Sequence, residues 1–418
     1  MTENKSIYCG LAFGSVSINS SGQYLPCCNI RSSEFNTPTN LDLEPIESIN
    51  ADNLKDVREK LINGEWPKAC YNCKESEEVD VRSMRNIWND YITDAPMVKH
   101  VNPLDIKFLD LTFATTCNSK CMTCCPKASN FWEEEWQALH PHVDERFIKF
   151  NRITIDETNA SKLIKYFPNV IKISFVGGEP TISDEHFSFL QKLVDEARSK
   201  NIELSYVTNL TGLNDRLIDL WKNFKSIVFS VSIDGYGKVN EYIRYPFKWS
   251  KTETNLRTLL EICRQDYKKF GVGLSCTHSI FNAIQAPDLL EFWYDLLKEY
   301  GLLENCGAFL NKVNDPPNMM VCHLSESYRQ IGIQKVHSLL NKIEKDNEPI
   351  LQANIDCIKH IASLLAEPWS GDISKIKEVQ KFIKGSDEFR KRDMKDYIPE
   401  LVDELNTLVA NDTSNTTP

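Results

Sequence analysis

The residues of this chain best equipped for chemistry are its cysteines, and three of them share one short stretch, Thr116-Cys117-Asn118-Ser119-Lys120-Cys121-Met122-Thr123-Cys124. Spaced C-x3-C-x2-C, they offer three thiolates to one metal group. Three thiolates around a cubane iron–sulfur cluster leave the fourth iron without a protein ligand, and an open iron can hold a substrate or cofactor. A structural zinc site takes four ligands, usually as two CxxC pairs, which this stretch does not supply. A second set comprises Cys9, Cys27, Cys70 and Cys73, with Gly22 between the first two and Cys70-Tyr71-Asn72-Cys73 forming a CxxC. Its four thiolates would saturate either one [4Fe–4S] cluster or one zinc ion, because this spacing alone does not distinguish the metals. Cys28 is a spare thiol.

Fourteen cysteines in 418 residues would read as disulfides in a secreted chain. Met1-Thr2-Glu3-Asn4-Lys5 leads into no apolar signal segment, however, and no run approaches the roughly 18 apolar residues of a membrane span. A cytoplasmic location is therefore expected, with no membrane partner. In that reducing compartment closely spaced cysteines are metal ligands or redox groups more often than disulfides. The remaining Cys263, Cys276, Cys306, Cys322 and Cys357 stand singly within apolar patterns and are expected in the core. Nucleic acid is excluded as a partner, since 48 basic against 59 acidic residues give a net charge of −11 with no Lys/Arg run.

The elements that must position these thiols fall into four segments. Residues 1–95 have short, broken patterns and read as a small module, with a strand over Ser15–Ile18, a turn at Ser20-Ser21-Gly22 and a helix over Ala51–Ile62. Over 104–322, apolar strand-like runs alternate with amphipathic helical stretches. The strands are expected at Ile106–Ala114, Val170–Val176, Ile202–Val207, Ile227–Ile233, Val272–Ile280 and Gly307–Leu310; the helices, at Glu157–Phe167, Asp184–Ser199, Asn214–Phe224, Thr252–Lys268 and Pro287–Tyr300. Such alternation predicts an α/β fold with a parallel sheet, open or curled into part of a barrel, and function at the strands' C-terminal ends. Residues 325–410 read as helices broken at Glu348-Pro349, Pro368–Gly371 and Gly385-Ser386, and 411–418 as a polar, disordered tail.

The three-cysteine stretch follows the first of these strands and resembles the cluster loop of the radical S-adenosylmethionine (SAM) superfamily, whose fold is a partial, TIM-like (β/α)6 barrel. Later strand ends agree. Gly177-Gly178-Glu179-Pro180 is similar to the family's GGEP motif, in which backbone and carboxylate engage the SAM amino group; Thr208-Asn209 resembles its TN motif, and Ser232-Ile233-Asp234-Gly235 its VSxDG strand end. The resemblance implies that Thr208, Asn209, Ser232 and Asp234 contact the ribose and methionine parts of SAM. Arg244 matches an arginine that faces the methionine carboxylate, and Asn282 a looser polar position. Two features depart from the pattern: Thr123 stands where an aromatic residue usually packs on the adenine, and Cys125 offers a C-x3-C-x3-C alternative to Cys124, which the family's spacing favours. The earlier set, C-x12-G-x4-C followed by CxxC, is similar to a SPASM/twitch auxiliary-cluster module, here placed before the barrel.

The resemblance implies an enzyme with two [4Fe–4S] clusters. One, on Cys117, Cys121 and Cys124, binds SAM; an external reductant of the flavodoxin or ferredoxin type supplies an electron, and a 5′-deoxyadenosyl radical abstracts hydrogen from a substrate. The other, on Cys9, Cys27, Cys70 and Cys73, relays an electron. SPASM/twitch relatives often modify peptides or proteins, so a peptide or protein side chain is the expected substrate. The alternatives are a radical SAM enzyme acting on a sugar or other small molecule, or a non-catalytic metal-binding interaction protein. No general base is singled out.

Overall fold

The computed structural model describes residues 6–30, 44–78, 82–149 and 155–414. It is an α/β fold of mostly parallel strands with helices around them and a helical C-terminal region. In chain order the strands are β1 (Ser15–Ile18), β2 (Tyr24–Leu25), β3 (Phe108–Thr112), β4 (Lys120–Cys121), β5 (Lys172–Val176), β6 (Glu203–Thr208), β7 (Ser226–Ser232), β8 (Arg244–Tyr245), β9 (Phe270–His278) and β10 (Gly307–Lys312). The expected strands of the 104–322 segment correspond to β3, β5, β6, β7, β9 and β10.

The chain divides into two compact units, one of residues 1–116, 150–206 and 214–227, the other of 117–149, 207–213 and 228–418. This differs from the module boundary that the sequence places between 95 and 104. The reason is β1, which forms an antiparallel hairpin with β2 and pairs in parallel with β3 along its other edge. The hairpin turns at Gly22, φ +74°. The N-terminal segment is thus a sheet strand of the first unit.

In that unit β1, β3, β5 and β6 run in parallel register, which sets Ser17 beside Asp110, Asp110 beside Ser174 and Ser174 beside Ser205. Strand alternation explains the two faces. Ile173, Phe175, Leu204 and Tyr206 are buried, whereas Lys172, Ser174, Glu203 and Ser205 stay half-open. Phe175 packs on His186 and Phe189 of the helix Asp184–Asp195. That helix begins where the Ser183 hydroxyl accepts from His186 N–H, and Asp156 and Asn214 start the helices Glu157–Tyr166 and Asp215–Trp221 likewise. It stops at Asp195, short of the expected Ser199, and Ala197 beyond it takes a left-handed φ of +56°.

In the second unit β10 pairs in parallel with β9, and β4 and β8 form a short antiparallel ladder. The helix Glu326–Asp346 is tied to Ala286–Tyr300 by Lys335 to Asp288 and by Lys342 to Glu291 and Asp295. Gln352–Leu365 is fixed by Asn354, whose Nδ2 donates to the Cys306 carbonyl and whose Oδ1 accepts from Trp293 Nε1. Two of the expected helix breaks occur, but Gly385-Ser386 lies inside the helix Ile373–Arg390. A Cβ on Gly385 would stand 2.4 Å from Leu139 Cδ2; the glycine serves close packing on the helix Glu133–Leu139. The last helix, Pro399–Ser414, takes in 411–414 of the expected disordered tail, and 415–418 lie outside the described residues.

His186 makes the first unit acid-sensitive. Buried and 3.0 Å from the Tyr206 hydroxyl, it has its pKa lowered by desolvation from 6.5 to about 3. The native state keeps it neutral while the unfolded chain takes up a proton below about pH 6.5, so this residue's contribution to stability falls as pH drops from 6.5 toward 3, by up to about 1.4 kcal/mol per pH unit. Chemical denaturation at pH 7 and 4.5 should show a smaller loss for His186→Gln than for the parent chain, and equal losses would refute the assignment.

Candidate active site

The first thiol set is built on the loop after β3. Cys117 is fixed at its backbone, whose N–H donates to Asn130 Oδ1 at 3.1 Å. Cys121 sits in β4, paired with Arg244 of β8, and its carbonyl accepts from Trp132 Nε1 at 3.1 Å. Met122 N–H then donates to the Ile243 carbonyl, and Cys124 N–H closes a turn on the Cys121 carbonyl, 2.9 Å away. Ser129 Oγ donates to the Ser119 carbonyl, and Ser119 Oγ stands 2.9 Å from Cys121 Sγ. Cys124 keeps part of its surface open, yet the atoms around its sulfur push its thiol pKa up, and the neighbouring Cys121, Cys125 and Cys117 push it further. The three proposed ligands are therefore neighbours, with Cys125 beside them.

Three strand ends carry the other expected residues of this unit. At the end of β6, Thr208 and Asn209 are buried; Thr208 Oγ1 accepts from Leu210 N–H and Asn209 Oδ1 from Thr211 N–H. Asn209 Nδ2 also donates to Asn118 Oδ1, and Asn118 Nδ2 donates to Thr211 Oγ1. The TN turn is thereby tied to the cysteine loop. Ser232 ends β7 on its half-open face. Asp234 is buried, with Oδ1 accepting from Thr277 N–H at 2.7 Å and Oδ2 2.8 Å from Arg244 Nε. Arg244 Nη1 reaches toward Cys121 Sγ at 3.8 Å. Burial opposes the Arg244 charge, but Asp234 outweighs it and raises the pKa. Asn282 is wholly buried and donates to the Asp234 and Thr277 carbonyls, so its amide serves the strand ends themselves.

The GGEP residues belong to the first unit. Gly177 and Gly178 have φ of +76° and +53°. A Cβ on Gly177 would lie 2.4 Å from Thr112 Cγ2, and one on Gly178 2.3 Å from the Thr116 carbonyl. Gly177 thus admits the Thr112 side chain at the end of β3, and Gly178 the backbone that follows it. Glu179 is buried: its N–H donates to the Thr116 carbonyl at 2.8 Å, and its Oε1 accepts from Thr181 N–H and Oγ1. Pro180 opens the 3-10 turn Pro180–Ile182 that follows.

The second thiol set is also in the first unit. Cys9, Cys27, Cys70 and Cys73 line one small cavity, walled by apolar side chains including Leu11, Ile30 and Leu61. Burial pushes the Cys9 thiol up to about 11 and Cys70 up to about 12. Asn29 Nδ2 lies 3.5 Å from Cys73 Sγ, and Arg85, bound to Glu77 and the Tyr8 carbonyl, adds a positive charge nearby. Cys28 is separate and exposed, and Asp110 accepts from Ser17 Oγ. All fourteen cysteines are free thiols. Four of the five expected core cysteines are buried, and Cys322 is half-exposed.

Among the described residues no group of three or more His, Cys, Asp or Glu closes on one point as the shell of a single ion would. A zinc ion draws four sulfurs to about 2.3 Å from its centre. A cubane cluster takes each ligand on a different iron. Sequence reading missed Asn118, Ser119, Asn130, Trp132, Asn29 and Arg85. Asn118 and Ser119 lie inside the cysteine stretch, where their polarity was the available signal; the others approach through tertiary folding.

Residues 111–275 match the Radical SAM superfamily. No protein of curated function matches the chain. Among solved structures, native anSMEcpe with bound AdoMet is 19% identical, the match covering 59% of this chain and 63% of that one, with a TM-score of 0.38. Streptococcus suis SuiB bound to S-adenosylmethionine is 13% identical over 77% of this chain and 66% of that one, with a TM-score of 0.35.

The glycine geometry gives a direct test. Gly178→Ala forces a Cβ against the Thr116 carbonyl, whereas Gly301, φ +69°, has nothing within 4 Å of its Cβ position. Gly301→Ala should cost about 1 kcal/mol for its backbone conformation alone. Gly178→Ala should cost distinctly more in denaturant unfolding, and equal costs would refute the close approach.

Proposed function

We propose that the chain is a radical SAM enzyme with an auxiliary cluster, and the observation carrying this is the set of Cys117, Cys121 and Cys124 held as neighbours within the segment that matches the radical SAM superfamily. In this reading those thiolates hold a [4Fe–4S] cluster with one iron open to SAM. When bound, such a cluster, reduced by the external donor, would supply the electron for reductive cleavage of SAM to methionine and a 5′-deoxyadenosyl radical. The chain's own residues orient and enclose. Arg244, held by Asp234, would supply a fixed guanidinium for a carboxylate, and Thr208, Asn209 and Ser232 would supply polar groups at the strand ends; the resemblance assigns Gly177, Gly178, Glu179 and Pro180 to the amino group. Asn282 supports Asp234 from behind.

Cys9, Cys27, Cys70 and Cys73 would ligate a second [4Fe–4S] cluster completely, leaving it no open iron for substrate. Its task is then to accept an electron from the substrate radical, which suits a net oxidation. Iron–sulfur is preferred to zinc at this set because the first set is read as a cluster site. We assign the substrate as a peptide or protein side chain, the electron donor as a flavodoxin or ferredoxin type protein, and the location as cytoplasmic, in keeping with fourteen free thiols. No helix among the described residues is long and apolar enough to cross a membrane.

Anaerobically purified protein should carry about eight irons per chain and form 5′-deoxyadenosine from SAM on reduction. Joint replacement of Cys117, Cys121 and Cys124 by Ala should remove about half the iron and all cleavage; replacement of Cys9, Cys27, Cys70 and Cys73 should remove the other half and leave cleavage of SAM alone. Zinc without 5′-deoxyadenosine would sink the reading.

A further inference from the structure

The C-terminal helices lie outside the segment that matches the radical SAM superfamily, yet one of them bears on its cysteine loop. Met122, between Cys121 and Cys124, is buried. Its sulfur receives two guanidinium groups, Arg390 Nη1 and Arg392 Nη2, each at 3.3 Å. A thioether is a weak acceptor, and two cations meeting on one is an arrangement the surroundings must enforce. They do so on both sides. Arg390 pairs with Glu135 at 2.9 Å, both side chains wholly buried, and lies over the Trp132 and Tyr245 rings. Arg392 pairs with Asp387 at 3.1 Å, lies over Tyr242 and donates to its carbonyl. Asp387 is itself held by Tyr242 Oη and Met394 N–H. Trp132 and Tyr245 connect directly to the loop, through the Cys121 carbonyl and the Lys120 pairing of β4 with β8.

The charges around the loop do not cancel. Lys120, Arg244, Arg390 and Arg392 face Glu135, Asp234 and Asp387, which leaves one cation in excess before the cysteines are counted. Arg390 Nη2 is in addition buried with no acceptor among the described residues. A buried region with surplus positive charge is costly on its own and becomes favourable when thiolates, or an anionic group bound to them, are added.

We propose that Arg390 and Arg392 are positioning residues for the SAM-binding cluster: they hold Met122 from behind, so that Cys121 and Cys124 keep their places, and supply the positive charge that an anionic cluster on those thiolates requires. This rests on the radical SAM reading of the site. Positive charge beside a cluster favours its reduced state, so the helix Ile373–Arg390 and the residues after it help set how easily the cluster accepts its electron.

The test uses the full chain with SAM as the ligand. Arg392→Gln removes one cation while leaving the buried Arg390–Glu135 pair intact. The double change Arg390→Gln with Glu135→Gln removes that pair; it is made with and without Lys120→Gln because Glu135 also pairs with the buried Lys120 at 3.5 Å. Arg392→Gln should keep the auxiliary iron, move the midpoint potential of the SAM-binding cluster negative and alter its reduced, SAM-bound electron paramagnetic resonance spectrum; Arg392→Lys should restore the potential. In the metal-free chain the double variant should speed hydrogen exchange at the Met122 and Cys124 amides about tenfold. Unchanged potential and spectrum in Arg392→Gln, or unchanged exchange in the double variant, overturns the proposal. A parent chain that shows no SAM-dependent spectrum, while exchange accelerates as expected, overturns the reading of the cofactor and upholds the positioning.

Discussion

The site in the second unit depends on keeping one buried-side cation fixed. Arg244 reaches the Cys121 sulfur only because Asp234 holds its Nε, and Asp234 is in turn pinned by Thr277 N–H. Asn282 closes the set by joining the Asp234 and Thr277 carbonyls. A carboxylate this deep would be expensive without its guanidinium, by about 3–5 kcal/mol when such a pair is broken from one side. The pair therefore locks the ends of β7 and β9 to β8, and the ladder of β8 with β4 carries the lock to Cys121. Geometry at the thiol and geometry of the strand ends are one constraint.

That constraint explains which parts of the structure the sequence revealed. The strands β5, β6 and β7 were legible because each alternates buried and open residues over five or more positions, as in Ile227, Phe229 and Val231 against Val228, Ser230 and Ser232, whereas β3, β9 and β10 were legible as short apolar runs, β3 being buried from Phe108 to Leu111. The intervening helices were legible from their periodicity and caps. The ladder of β4 with β8 was not, since two residues on each side carry no period. Gly385-Ser386 read as a break because a glycine's need for room beside Leu139 looks the same in sequence as a helix end. The strand Ser15–Ile18 was found, but its parallel pairing with β3 depends on a partner some ninety residues away along the chain, so the N-terminal segment read as a module of its own.

The site shows the same division. Motif spacing singled out Cys117, Cys121, Cys124, Asp234 and Arg244, and the structure brings these together. The roles differ from the simplest expectation at three places. Gly177 admits the Thr112 side chain and Gly178 the Thr116 carbonyl, Glu179 caps its own turn through Oε1, and Asn282 is buried in support of Asp234. Each is a requirement of the scaffold at a strand end, where the residue types that suit a ligand also suit a tight backbone turn.

The two thiol sets sit in different media, and that difference bears on what each can do. Cys121 has a hydroxyl at 2.9 Å and a guanidinium at 3.8 Å, with the wider cationic surroundings of Lys120, Arg390 and Arg392 beyond them. The second set lies among Leu11, Ile30 and Leu61, with Asn29 near Cys73 and Arg85 at the side. Hydrogen bonds and positive charge at a thiolate stabilise added electron density, and apolar surroundings withhold that stabilisation. Under the proposed function, reduction at the first set would be assisted by these fixed groups. At the second set the surroundings are mainly apolar, with Asn29 and Arg85 the polar groups beside half-exposed thiols. A polar, braced loop and a small, mainly apolar cavity are environments that suit the proposed ligand chemistry at one set and electron relay at the other.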